Sequence, residues 1–267
     1  MNRLRRLVLV AATTILCTYG AVVALAWAFQ GSFIYPAPQA IAAIPAGYEE
    51  ATLETSDGLS LRAAFSAPRA GQSVVVFFHG NGDNLPGAAT AMGEVQQAGY
   101  GVLLVEYRGY GGNAGEPSEE GFYRDGRAAL AWLKAQGYQG QDIVLAGNSI
   151  GSGTAVQMAS EVDARALILV SPLTSVPDVA AEQAKFLPVR LLLRDQFANA
   201  DKIGNLAMPI LLQHGTGDRV VPFSHAEKLA GLAKNVSLED YPGVGHELAY
   251  LPAPQDAQIA WLAKLAE

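Results

Sequence analysis

The sequence predicts an α/β architecture: eight strands in a mostly parallel sheet, helices on both faces, and an antiparallel hairpin where the sheet begins. Three observations carry this. Short β-branched or apolar runs alternate with helical stretches along the body, the pattern of parallel strands joined by crossover helices. An Asp57-Gly58 turn sits between the first two runs, as in a tight hairpin. At 267 residues, half of them hydrophobic, the chain can bury one large core but is short for two full domains.

Taken in order, the elements begin with Arg3, Arg5 and Arg6, which precede an uncharged stretch at 7–29. As a helix rising ~1.5 Å per residue, that stretch crosses a hydrocarbon core of ~30 Å. Residues 1–30 are therefore expected to form a transmembrane anchor. The basic flank puts the N-terminus in the cytoplasm and the body on the non-cytoplasmic side. Trp27, Phe29, Phe33 and Tyr35 are expected near the far interface, where amphipathic rings prefer to lie. A cleaved signal peptide is the competing reading, because Ala24-Leu25-Ala26 and Ala26-Trp27-Ala28 fit small-x-small cleavage sites. The apolar run exceeds the ~7–15 residues of a secretory core, which favours the anchor. Cys17 reads as a lipid-facing or packing residue, since Thr14-Ile15-Leu16 lacks the small residues that precede a lipidated cysteine.

Residues 31–47, rich in proline, alanine and glycine, read as a linker, and 48–267 as the folded body. Strands are expected at 50–56, 59–66, 73–78, 101–107, 142–146, 166–170, 208–213 and 236–241. Helices fall at about 87–98, 119–136, 149–161, 223–234 and 255–265. Between 170 and 208 the chain detours through 176–202, longer than the ~2–6 residues plus helix of a compact connection. This segment is expected to form a small cap above the strand ends; the alternative is an ordinary connecting helix with loops.

Composition narrows the partners. Without its first three arginines the chain carries 15 basic against 25 acidic residues, or −10, which disfavours nucleic acid. The single Cys17 excludes an internal disulfide and a thiolate metal site in the body. Neither H-E-x-x-H nor G-x-x-x-x-G-K-[ST] occurs, so no metal or nucleotide cofactor is expected.

The chemistry concentrates at Gly147-Asn148-Ser149-Ile150-Gly151, between an apolar strand and a helical stretch. A serine thrust out at a sharp strand-to-helix turn needs residues without side chains two before and two after it, so that strand and helix can pass closely. Ser149 is the expected nucleophile, and its hydroxyl needs a base, for which histidine is suited. Four histidines compete. His79 follows a strand in His79-Gly80-Asn81-Gly82 and reads as structural, within a loop for oxyanion donors. His214 suits a loop-ordering hydrogen bond, and His225, early in a helix, a solvated or capping role. His246 stands in the glycine loop Gly243-Val244-Gly245-His246-Glu247 after the last strand, and the chain order serine, acid, histidine selects it. The acid must then lie between them. Asp218, beyond the end of a strand in His214-Gly215-Thr216-Gly217-Asp218, leads; Asp240 falls inside a strand and is expected to face solvent, and Asp195 and Asp201 belong to the cap. Backbone N–H groups of Asn81 and Ile150 are the expected oxyanion donors.

These motifs resemble a group of α/β-hydrolase-fold proteins with one N-terminal membrane anchor, whose eukaryotic members include protein depalmitoylases. The matching stretches are His79-Gly80-Asn81-Gly82, Tyr107-Arg108-Gly109-Tyr110-Gly111, Gly115-Glu116-Pro117-Ser118-Glu119, the Ser149 turn, His214-Gly215 with Asp218, and Gly245-His246. Where the group often has a serine, this chain has Asn113, expected in a surface turn. The resemblance implies the α/β-hydrolase fold and the same roles for Ser149, Asp218 and His246. The expected function is a serine hydrolase acting on carboxylic esters or thioesters, with a small-molecule or lipid-like acyl substrate; a peptidase or amidase, or a non-catalytic binding protein, are the alternatives. Apolar residues crowd the cap, and Phe186 and Leu192 are the expected substrate contacts.

Overall fold

The computed structural model describes residues 3–265. Eight strands form one sheet: β1 (Glu49–Glu54), β2 (Ser60–Ser66), β3 (Val74–Phe78), β4 (Gly101–Val105), β5 (Ile143–Asn148), β6 (Ala166–Val170), β7 (Ile210–Gly215) and β8 (Val236–Tyr241). Their order is β1-β2-β4-β3-β5-β6-β7-β8. The hairpin β1–β2 and the β2–β4 pairing are antiparallel, and all other pairings are parallel. Strands β3, β4 and β6 are buried at every position, so they read as continuous apolar runs rather than as alternations. This is the α/β-hydrolase fold.

Among the described residues one helix, α1 (Arg3–Ile34), is long and apolar enough to cross a membrane. The expected helix at 87–98 is two, α2 (Leu85–Ala91) and α3 (Gly93–Gln97), broken where Met92 leaves helical geometry at φ −114 and ψ 12. Then come α4 (Glu119–Ala135) and α5 (Gly151–Glu161). The 176–202 detour holds three short helices, α6 (Val176–Gln183), α7 (Val189–Leu192) and α8 (Asn199–Lys202). Last are α9 (Ser224–Leu232) and α10 (Pro252–Lys264). Ser118 and Ser175 cap α4 and α6 by accepting from Gly121 N and Asp178 N.

Residues just past α1 make contacts with the body. Tyr35 is buried with its ring 5.3 Å from Phe122, its hydroxyl donates to Asp195 at 2.7 Å, and Gly111 N donates to Pro38 O. Tyr35, expected near the far membrane interface, packs instead in the core, where its ring meets Phe122 and its hydroxyl meets a carboxylate. Asn113 is no idle turn residue either. Its Oδ1 accepts from Arg62 N at 2.8 Å and its Nδ2 donates to Glu106 O at 3.0 Å, joining β2 to the loop after β4.

Candidate active site

Ser149 sits where β5 hands over to α5, and its φ of +52 is the left-handed region that costs a residue with a Cβ of order 1–3 kcal/mol. Ser149 N donates to Val170 O at 2.9 Å and Ser149 O accepts from Ser152 Oγ at 2.6 Å, which fix the turn. The turn needs its second glycine. A Cβ on Gly151 would lie 2.1 Å from Phe78 O, a backbone atom of the neighbouring strand. Gly151→Ala is therefore expected to cost on the order of 3 kcal/mol or more, read as a fall in the thermal unfolding midpoint; an unchanged midpoint would contradict the close approach.

Two loops at the same end of the sheet bring up the other groups. His246, in the loop after β8, has Nε2 2.9 Å from Ser149 Oγ and Nδ1 2.7 Å from Asp218 Oδ2. Asp218 follows β7, and its Oδ1 accepts from Val220 N and Val221 N at 2.8 and 2.9 Å. The end of β7 and the His246 loop approach so closely that a Cβ on Gly215 would lie 2.2 Å from Val244 O; only glycine fits. Burial pushes the Asp218 carboxyl up, but hydrogen bonds with His214 and His246 and from Val221 N–H outweigh it and hold the group well below the usual carboxylate range. The structure thus brings Ser149, His246 and Asp218 into one hydrogen-bonded line. Asp240 lies exposed in β8, and Asp195 is held by Tyr35, away from His246.

The remaining histidines are accounted for by packing. His79 is fully buried, Nδ1 lying 2.8 Å from Gly80 O and Nε2 3.4 Å from Glu106 Oε1. Burial alone would lower its pKa, yet hydrogen bonding and charge from Glu106 raise it. His214 Nε2 lies 2.8 Å from Val221 O and orders the Asp218 loop. Of the solvated or capping roles expected for His225, the solvated one does not hold: the side chain is buried, and its Nδ1 accepts from Thr174 N at 3.0 Å, tying α9 to the chain just ahead of α6. Burial lowers its pKa.

A cavity of about 360 Å³ opens over Ser149, within the range of small-molecule sites. Asn81 and Ile150 line it, and among the described residues neither main-chain N–H has a protein acceptor. The Asn81 side chain is held from both ends, Oδ1 accepting from Tyr110 OH at 2.7 Å and Nδ2 donating to Ile34 O at the end of α1. The apolar walls are Val176, Val179 and Ala180 of α6 with Phe33 and Ile34 of α1. Phe186 and Leu192 do not line it. Phe186 points to an adjoining groove, and Leu192 O accepts from Gln30 Nε2 at 3.2 Å; the face of the cap over Ser149 is α6, whose apolar stripe is closer to the turn. Phe33, Ile34 and α6 are cavity-lining residues that periodicity alone does not select, since nothing local says where α1 docks. No cluster of three or more His, Cys, Asp or Glu arranged to hold a metal occurs among the described residues.

Comparison with known proteins bears on the family and the fold. Residues 69–200 match the family Hydrolase_4, described as "Serine aminopeptidase, S33". An uncharacterized protein of Mycobacterium tuberculosis is 34% identical over 255 residues, 92% of this chain and 90% of that one. The human Alpha/beta hydrolase domain-containing protein 17B is 34% identical over 153 residues, 57% of this chain and 52% of that protein. Among solved structures, an esterase of Pyrococcus furiosus superposes with a TM-score of 0.69 at 17% identity, covering 86% of this chain and 97% of that one. With a relative matched at this level along nearly its whole length, and with the fold to go with it, the chain belongs to the α/β-hydrolase family.

Proposed function

We propose that this protein is a serine hydrolase that cleaves carboxylic esters or thioesters of acyl chains through a covalent acyl-enzyme. The observation that carries the reading is the line from Ser149 Oγ to His246 Nε2 at 2.9 Å and from His246 Nδ1 to Asp218 Oδ2 at 2.7 Å. Ser149 Oγ attacks the carbonyl carbon as His246 Nε2 takes its proton, and Asp218 holds the tautomer with Nδ1 protonated and balances the imidazolium. Asn81 N–H and Ile150 N–H receive the oxyanion, the latter at the N-terminal end of α5, where the helix dipole favours negative charge. Collapse expels the alcohol or thiol, which takes the proton from His246. A water activated the same way by His246 then releases the acid and restores Ser149.

A peptidase is the second reading, favoured by the description of the matched family. An aminopeptidase must seat a substrate ammonium, and a desolvated cation needs an opposite charge beside it. Among the described residues lining the Ser149 cavity there is no carboxylate. Helix α1 is taken as a membrane anchor, from its length and composition. The test is labelling by a fluorophosphonate, followed by rates on acyl esters, acyl thioesters and aminoacyl amides. Labelling with ester or thioester turnover is expected; amide turnover dominating would transfer the assignment to the peptidases, and no labelling would leave a binding protein.

A further inference from the structure

Helix α1 does more at the body than attach to it. Gln30, buried in an otherwise apolar helix, donates to Leu192 O at 3.2 Å and accepts from Arg194 N at 2.8 Å; the guanidinium of Arg194 stands 4.4 Å from the Trp27 ring centroid, and Tyr19 OH donates to Phe186 O at 2.9 Å. The last turns of α1 are thereby pinned along the cap. Between them runs an apolar groove of about 730 Å³, walled by Val22, Leu25, Ala26 and Phe29 on one side and by Ala184, Phe186 and Leu187 on the other. It adjoins the Ser149 cavity, since Phe33, Ile34, Val176, Ala180 and Gln183 line both.

The length of α1 says what faces the far end of the groove. Its uncharged stretch ahead of the docked part, residues 7–18, rises only about 18 Å at ~1.5 Å per residue, short of a hydrocarbon core of ~30 Å. The missing part must come from residues after Tyr19, which lie against the cap. So a spanning α1 draws the groove mouth at Val22 and Phe186 into the edge of the hydrocarbon. Phe186 at 67% and Leu191 at 88% exposure then have lipid to cover them rather than water.

We propose that this groove is the acyl-chain subsite of the Ser149 centre, with α1 as one of its walls, and that its occupant is the hydrocarbon tail of a long-chain ester resident in the bilayer, which slides from lipid to Ser149 without crossing water. The proposal rests on the hydrolase reading above. The anchor is on this account part of the substrate site, and chain-length preference is set by the α1–cap seam rather than by the cap alone.

The experiment uses the full chain in phosphatidylcholine vesicles with acetyl and palmitoyl p-nitrophenyl esters. Ala26→Phe fills the groove at a position remote from Ser149 and is expected to lower the palmitoyl-to-acetyl ratio of kcat/KM at least about tenfold, because each buried methylene contributes several-fold to binding. Leu16→Phe, on the undocked half of α1, leaves the ratio unchanged. In parallel, a photoreactive palmitoyl ester on the Ser149→Ala variant, which needs no turnover, is expected to crosslink to residues 22–34 and 180–187. Crosslinks elsewhere, or an unchanged ratio in Ala26→Phe, overturn the groove and leave the hydrolase reading standing; crosslinks to these segments with an unchanged ratio mark a resident bilayer lipid instead. Absence of both ester turnover and fluorophosphonate labelling in the unmodified protein overturns the hydrolase reading itself.

Discussion

Ser149→Ala is expected to abolish ester hydrolysis and fluorophosphonate labelling, with kcat falling by on the order of 10⁴–10⁶. The Oγ is the one atom in the cavity with a base 2.9 Å away, and alanine removes that atom while adding no bulk to a turn crowded by the strand carbonyl at Phe78. The positive φ of the position is equally strained for alanine and serine, so the folded state should keep its stability to within about 1 kcal/mol. His246→Ala should lose nearly as much activity, because a serine without its base is no better than no serine, and the double variant should lose little more. Thermal unfolding and labelling measured on the same preparations separate chemistry from folding. Labelling retained at another serine in Ser149→Ala would remove this residue from the mechanism.

The sequence made the chemical centre legible because the decisive signals are local. Gly147 and Gly151 around Ser149, the strand before it and the helix after it are all within one short stretch, and steric necessity ties them together. The candidate histidine and acid, which the structure places within hydrogen-bond distance of each other, are selected by chain order and by their places beyond strand ends, where loops converge at one edge of a parallel sheet. The eight strands were readable for a similar reason, since a strand buried on both faces must be apolar throughout. What was not legible depends on partners far away in sequence. Nothing local in α1 or in the stretch after it announces that Gln30, Tyr35 and Ile34 bind to residues 192–195 and to Asn81. His225 carries no local mark of the Thr174 amide that buries it. That Val176, Val179 and Ala180 line the Ser149 cavity, while Phe186 lines the adjoining groove and Leu192 neither, is decided by the docked arrangement of the cap and not by its sequence.

Asp218→Asn is expected to lower kcat by about 10⁴ with substrate binding nearly intact, while Asp240→Asn stays close to the unmodified enzyme. The side chain of Asp218 is fully enclosed, with Oδ1 committed to the Val220 and Val221 amides and Oδ2 to His246 Nδ1. An asparagine that keeps its oxygen on the two amides must turn its NH₂ toward Nδ1. That nitrogen then becomes the acceptor, the ring proton moves to Nε2, and His246 can no longer take the proton of Ser149. Stability should respond to pH in a defined direction as well. Because the folded environment holds the Asp218 carboxyl below its ordinary value, its ionised form stabilises the fold above that value, and this contribution is lost as pH falls through the depressed one. The unmodified protein should therefore lose stability in that acid window, and Asp218→Asn should show a flatter dependence there. Asp240 points to solvent from β8 and contacts none of these atoms, so its amide changes neither curve. Measured kcat and unfolding midpoints across the acid range for both variants decide between the carboxylates: a crippled Asp240→Asn beside an active Asp218→Asn would exchange their roles, and the 2.7 Å contact with His246 would then be structural only.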